Sequence, residues 1–276
     1  MRALKRLSHP VLLCALAVAA AACQTAKPYL DPQGPVYVGS FADTRPPAPP
    51  SIRIVTFNVE YALRVERALV ALRENPHLRD ADIVALQEMD EPGTVAIARG
   101  LGLDYAYCPA SVHPKLQRDV GNAILSRWPI SDVVKVALPH KSRILGQSRV
   151  AVSAVVTVAG RRLRVYALHL GSPFGASPGQ RRDQIDVVLR HAEESPDPVV
   201  IAGDFNSKGL GERLVARGYA WPTRGVGPST HGQSFDHVFV RGVPDVTMRA
   251  GVAREVTDAS DHRPIWVEIA ASPSSE

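Results

Sequence analysis

Cysteine is scarce in this chain: three in 276 residues, Cys14, Cys23 and Cys108. The first two fall in an N-terminal segment read below as an export leader and its processing site, which leaves Cys108 alone. One thiol excludes a disulfide framework, so the fold must be held by an apolar core. The absence of a Cys/His cluster excludes a structural zinc site. Cys108 is read as a small buried hydrophobe. No Walker phosphate loop, HExxH or GxSxG occurs, and no GxGxxG follows a strand pattern. No internal repeat is seen, and no low-complexity tract follows Pro50. A strong excess of one charge is missing too. The formal net charge is +5, and Arg2, Lys5 and Arg6 supply three of those charges within the leader. The remainder is mildly basic, a weak argument for a nucleic-acid partner.

What is present is an ordinary globular composition, 45% hydrophobic and 21% charged, with material for a sizeable core. Residues 1–22 read as a signal peptide: a basic start, an apolar run from Val11 to Ala22, and Ala20-Ala21-Ala22 as a cleavage site. That run is short for a bilayer span. Cys23 directly after it resembles the acylated Cys of a bacterial lipoprotein, although Ala20 stands where Leu is usual; the alternative is a plain cleaved signal. Gln24 after that Cys favours the outer membrane by the lipoprotein sorting rule. The expected location is the cell envelope, anchored at Cys23 and facing the periplasm, with a soluble periplasmic or secreted protein as the alternative. Residues 23–50 carry seven prolines and read as a stiff spacer, with Val36-Tyr37-Val38 as a patch that could pack on the domain. The folded domain is expected over 51–271 and a short tail over 272–276.

Within the domain, Ile52 to Asn58 alternates and is β-branched, which predicts a strand; Asp82 to Glu88 is a near-continuous apolar run, which predicts a strand buried on both faces. Helices are predicted over 62–73, from Pro92 to about Arg99, over 178–194 and over 212–217. Further strands are predicted at 105–108, 121–126, 130–137, 199–202, 235–240, 246–251 and 265–269. Residues 149–159 and 161–170 flank Gly160 as a hairpin. Strict βαβ repetition is absent, which argues against a TIM barrel or a Rossmann fold and for two packed sheets with helices outside.

The chemistry shows as a repeated event: an apolar strand runs out and a polar residue sits at its end. Asn58, Glu88, His169, and Asp204 with Asn206 occupy four such ends; Asp236 opens a strand, and Asp261-His262 precedes the last one. Each alone is more simply a turn or a structural histidine. Six in one domain, brought to one rim by packed sheets, make a site. A Glu with Asn and Asp supplies hard oxygen ligands suited to Mg²⁺ or Mn²⁺. Two histidines with Asp partners can serve as a base and an anion contact. Together these are the means for water attack on a phosphate ester.

The ordered stretches Thr56-Phe57-Asn58-Val59, Leu86-Gln87-Glu88, Gly121 to Arg127, Leu168-His169-Leu170, Gly203-Asp204-Phe205-Asn206, Phe235 to Val240 and Ser260 to Ile265 resemble the endonuclease/exonuclease/phosphatase superfamily. The resemblance implies a four-layer α/β/β/α sandwich, DNase I-like, with the site at the sheet edge. It implies Asn58 and Glu88 as ligands of a divalent metal, with Asp261 supporting the metal or the leaving group. It implies Asp204 and Asn206 facing the scissile phosphate, His169 contacting a phosphate oxygen, and His262 oriented by Asp236. Asp204 and His262 compete for the role of base. Glu60 is left as a helper, Gln184 reads as structural, and Arg149 stays open. The expected function is an exported, divalent-metal-dependent phosphodiesterase, acting as a monomer on a small molecule, a phospholipid head group or nucleic acid. A nuclease would draw on Arg118, Lys115, His113, His140, Lys141 and Arg143; a lipid hydrolase on exposed aromatics such as Phe174 and Trp221. A non-catalytic binding protein on the same fold is the reading of another class. A serine hydrolase built on Ser126 or Ser260 is disfavoured, because neither has a nucleophile elbow.

Overall fold

A computed structural model describes residues 26–43, 49–244 and 246–271. The leader and Cys23 read from the sequence, and the 272–276 tail, lie outside the described residues. The described elements, in chain order, are β1 (Lys27–Pro28), β2 (Tyr37–Gly39), β3 (Ser51–Asn58), α1 (Val65–Glu74), β4 (Ile83–Met89), α2 (Glu91–Leu101), β5 (Asp104–Val112), β6 (Asp119–Ser126), β7 (Ile130–Leu138), β8 (Arg149–Val158), β9 (Arg161–His169), α3 (Pro178–Glu193), β10 (Val199–Asp204), α4 (Gly211–Val215), β11 (Asp236–Arg241), β12 (Val246–Val252) and β13 (Ile265–Ala271).

The strands form two sheets. One runs β1-β5-β6-β4-β3-β13-β12, with β2 added on β5; the other runs β11-β10-β9-β8-β7. Alternation along each central strand explains the layering. Ile54, Ile83, Ala85 and Ile124 face Val152, Val165, Ala167, Val200 and Ala202 between the sheets. The opposite faces carry Val55, Phe57 and Val84 under α1 and α2, and Val199, Ile201, Tyr166 and Leu168 under α3. Both faces of β4 and β10 are covered, so their sequences read as unbroken apolar runs. The result is the four-layer α/β/β/α sandwich expected. Helix α3 is set by a complete capping box, Ser177 with Gln180, and by Pro178 at its start. Cys108 is buried, and that burial pushes its thiol up to about 12, so it is chemically quiet.

Three details depart from the sequence reading. Helix α1 starts at Val65 rather than at 62, because Glu60, Tyr61 and Ala62 all hold left-handed backbone, which no α-helix accommodates. Strand β10 continues through Gly203 and Asp204, which pair with Leu168 and His169 on one side and with His237 and Asp236 on the other. Gly203 therefore lies inside the sheet, paired on both sides. A Cβ there would lie 2.0 Å from the Leu168 carbonyl oxygen, so glycine is needed for strand-to-strand closeness. Residues 26–43, read as part of a stiff spacer with a patch at 36–38 that could pack on the domain, are strapped to it over a longer stretch: β1 and β2 pair with β5. Leu30 and Val36 pack on the inter-sheet core, and the buried Lys135 Nζ donates to the Gly34 carbonyl at 2.8 Å. Proline is compatible with this because an edge strand leaves one side of its backbone unpaired.

Candidate active site

Two rows of strand ends meet at one rim. In the smaller sheet Asp204 sits in register between His169 and Asp236, a single cross-strand row on β9, β10 and β11. In the larger sheet Asn58 ends β3 beside Gln87 of β4. Across the interface Asn58 Nδ2 donates to Asp204 Oδ2 at 3.3 Å, which ties the two sheets together at the site. The loop before β13 delivers Asp261 and His262, held by Ser260, whose hydroxyl donates to the Asn58 carbonyl at 2.7 Å.

Glu88 reaches the rim through a β-bulge. Pairing of β4 with β6 jumps from Gln87–Asn122 to Met89–Gly121, and Glu88 lies out of the ladder with φ of 57°. A bulge re-aims one side chain. A left-handed conformation costs a non-glycine residue about 1–2 kcal/mol. Gly121, which pairs with Met89 just past the bulge, lies against β5 on its other side, where a Cβ would stand 2.2 Å from the Cys108 carbonyl oxygen. Glu88 Oε2 accepts from the Tyr61 N–H at 3.0 Å, and Oε1 lies 3.8 Å from His169 Nδ1. The left-handed run at 60–62 is thus part of the site: it aims a backbone N–H at this carboxylate.

Asn58, Glu88, Arg149, His169, Asp204, Asn206, Asp261 and His262 line one cleft of about 840 Å³. Asp236 lies behind it, 2.8 Å from His262 Nδ1. Asp204 is fully enclosed; Oδ1 accepts from the Asn206 N–H at 2.8 Å and Oδ2 from Asn206 Nδ2 at 3.2 Å. His169 Nε2 is 3.4 Å and His262 Nε2 3.8 Å from the same Oδ2. Burial, and then the neighbouring Asp236 charge, lift the Asp204 carboxyl to about 7. Burial works against a charge on His262, but Asp236, Asp204 and Asp261 outweigh it and lift its pKa to about 10. His169 goes the other way: burial, with Arg149 and His262 nearby, drives it well below the ordinary histidine range, so it is neutral.

The donor chemistry fits a divalent cation at Glu88. Burial raises this carboxyl above its usual range, and among the described residues no Lys or Arg nitrogen lies within 4.0 Å of it. Its nearest basic group, His169, is held neutral. Asn58 Oδ1 accepts only one hydrogen bond, from the Glu60 N–H, and Asp261 opens to the cleft from the other side. Atoms of Asp204, Asp236 and His262 also lie within 4.8 Å of one another, a spacing a metal could bridge. That trio is already internally paired, and a protonated His262 cannot ligate; Glu88 is the better-suited group.

Residues 55–262 match the sequence profile of the Endonuclease/Exonuclease/phosphatase family. The chain belongs to that family. The fold agrees. An endonuclease/exonuclease/phosphatase from Beutenbergia cavernae superposes with a TM-score of 0.63 at 21% identity, covering 81% of this chain and 72% of that one. One from Bacteroides vulgatus gives 0.64 at 18%, covering 80% and 99%. A humanised D. rerio TDP2 gives 0.62 at 19%, covering 80% and 99%. No curated protein matches the chain in sequence. Members of this family hydrolyse phosphoesters with a divalent metal.

Several sequence expectations resolve on this geometry. Gln184 is structural, bridging the Gly171 N–H and the Pro139 carbonyl. Glu60 lines the cleft but pairs with Arg64. Arg149, left open from sequence, lines the cleft with Gln147. Both are buried, and Arg149 Nε and Gln147 Nε2 have no protein partner. Their signal in the sequence was only a polar start to a long apolar strand. Of the six basic residues offered for nucleic acid, none lines the cleft. His140 pairs with Asp183, and Arg118 bonds the carbonyls of Tyr61 and Ala62. Phe174 does stand at the cleft, 85% exposed. Trp221 does not: it packs among His237, Phe239 and Gly211.

Proposed function

We propose that the chain is an exported, Mg²⁺-dependent phosphodiesterase that hydrolyses its ester by direct attack of water. The observation that carries this is the convergence of a buried Glu88, with no Lys or Arg in ion-pair contact among the described residues, with the His169–Asp204–Asp236 row and His262 in one cleft. Glu88, Asn58 and Asp261 would hold the cation, which when bound supplies charge neutralisation at a phosphate oxygen. Mn²⁺ suits the same oxygens.

The charge states divide the remaining work. His262 carries its proton at neutral pH and is the cationic contact for a phosphate oxygen, with Asp236 fixing its ring. Asp204 titrates near neutrality and is the base that takes a proton from the attacking water. The neutral His169 donates at the phosphate-facing edge, while Asn206 Nδ2, already donating to the Leu170 carbonyl and to Asp204 Oδ2, holds the Asp204 carboxyl in place. Arg149, with its free Nε, adds an anion contact deeper in the cleft.

A second reading has one support: D. rerio TDP2, complexed with a single-strand DNA product, shares the fold at a TM-score of 0.61 and 20% identity, covering 79% of this chain and 98% of that one. None of the basic loop residues offered for a nucleic-acid backbone lines the cleft, which argues against nucleic acid here. Purified protein should hydrolyse bis-p-nitrophenyl phosphate in Mg²⁺, stop in EDTA, and lose at least about 100-fold in Glu88→Ala. No turnover of any phosphoester with Mg²⁺ or Mn²⁺, or full activity in Glu88→Ala, would refute the assignment. Export and acylation at Cys23 are tested separately: Cys23→Ser should move the protein from the membrane fraction to the soluble periplasm.

A further inference from the structure

The N-terminal strap ends at the mouth of the cleft. The Ala26 N–H donates to the Leu145 carbonyl at 3.0 Å, and Ala26 is buried there. Leu145 belongs to the loop before β8, whose turn is closed by hydrogen bonds from Ser142 N to the Gln147 carbonyl and from Gly146 N to the Ser142 carbonyl. The same loop is tied to the one after β9, since the Arg143 N–H donates to the Gly175 carbonyl at 3.0 Å. Each loop puts one large apolar side chain into water at the cleft lip: Ile144, 66% exposed, and Phe174, 85% exposed. They are the two most exposed large hydrophobic side chains among the described residues. Lys141 and Arg143, both exposed, stand beside Ile144 in the chain.

Chain length then fixes a distance. Cys23 is three residues from Ala26, and three fully extended residues span at most about 11 Å. The head-group layer on each side of a bilayer is about 5–8 Å deep. An acyl chain on Cys23, seated in hydrocarbon, would therefore hold Ala26 and the Leu145 carbonyl it bonds, next in the chain to Ile144, within a few ångströms of the head groups. The prolines of 28–50 give no extra reach, because the chain has already joined the fold by Ala26. Apolar tips flanked by basic residues are what an anionic lipid surface receives.

We infer that the cleft mouth docks on the membrane through Ile144 and Phe174, and that the ester it takes is in a phospholipid head group. This rests on the phosphodiesterase reading for its chemistry, though not for its surface. No helix among the described residues is long and apolar enough to cross a membrane, so the contact is peripheral.

The test uses the full chain carrying Cys23→Ser, so that no acyl group contributes. It should co-sediment with vesicles of phosphatidylethanolamine and phosphatidylglycerol. Adding Ile144→Ser and Phe174→Ser should weaken that binding at least ten-fold, with an unchanged melting temperature as the fold control. Head-group release from vesicles should exceed hydrolysis of the corresponding water-soluble glycerophosphodiester at least ten-fold, and the lip substitutions should erase that preference. No co-sedimentation, equal binding by both variants, an unchanged preference, or tighter binding to a single-stranded oligonucleotide would overturn the inference. If neither ester is hydrolysed while vesicles still bind, the catalytic reading fails and the docking surface stands.

Discussion

The charge on single side chains decides what this site can do. His262 and Asp204 share one neighbour, Asp236, which raises both of their pKa values. On the proposed mechanism Asp204 is ionised and His262 protonated, so the rate should fall below the first pKa and above the second, with the free-cleft values being about 7 and about 10. A cation at Glu88 would draw the acid limb lower. Asp236→Asn removes the shared influence, and both limbs of kcat/KM against pH should move to lower pH, the basic one by about a unit or more. A shift of one limb alone would separate the two groups and remove Asp236 from this role. His237 offers a stability measurement instead. Its Nε2 faces the Ser234 carbonyl and its Nδ1 faces the Trp221 Nε1–H, so the neutral ring is satisfied and a second ring proton would meet a donor. Burial lowers its pKa to about 4. Between pH 6.5 and 4 the unfolded chain takes a proton that the folded chain refuses, so stability is complete above about pH 6.5 and declines as pH falls towards 4. The loss is up to about 3 kcal/mol. Denaturant titrations across that window should show the slope, and His237→Gln should flatten it.

At the scale of the element, strand ends were legible and strand irregularities were not. The runs ending in Asn58, His169 and Asp204 announce themselves because a strand buried on both faces is apolar until it meets the rim. The bulge at Glu88 has no such mark; Gln87 and Glu88 look alike in sequence, and only the pairing of β4 with β6 shows which one is turned into the cleft. The late start of α1 is equally silent, since Tyr61 and Ala62 carry no turn signature of their own. The strap was hidden by its prolines, which suit an edge strand as well as a linker. Gly203 is required by the sheet: it admits the Leu168 carbonyl of the neighbouring strand. Gly203→Ala should destabilise by about 3 kcal/mol or more, because the clash is with backbone at the centre of a sheet. For a domain of this size that is a fall in melting temperature of about 6–12 °C, readable by calorimetry. A loss of activity without a change in melting temperature would contradict it.

For the whole molecule, the two sheets converge on a rim that gathers Glu88, Asp204, Asp236 and Asp261, and the proposed cation would offset their charge. Mg²⁺ should therefore stabilise the folded chain. At 100 times its dissociation constant the gain is about 2.7 kcal/mol, equivalent to a rise of about 5–11 °C in melting temperature. Glu88→Ala should abolish that rise, and a Mg²⁺-induced shift that survives the substitution would place the cation elsewhere. The polarity of β13 has a practical consequence. Ile265 pairs with Thr56 near the rim and Ala270 with Ser51, so the strand carries the chain away from the cleft, and Ala271 lies about 27 Å along the sheet from Asn58. Ala26 sits at the mouth itself. An affinity tag or reporter fused ahead of Ala26 would crowd substrate entry, whereas the same fusion after Ala271 leaves from the far end and keeps the cleft clear.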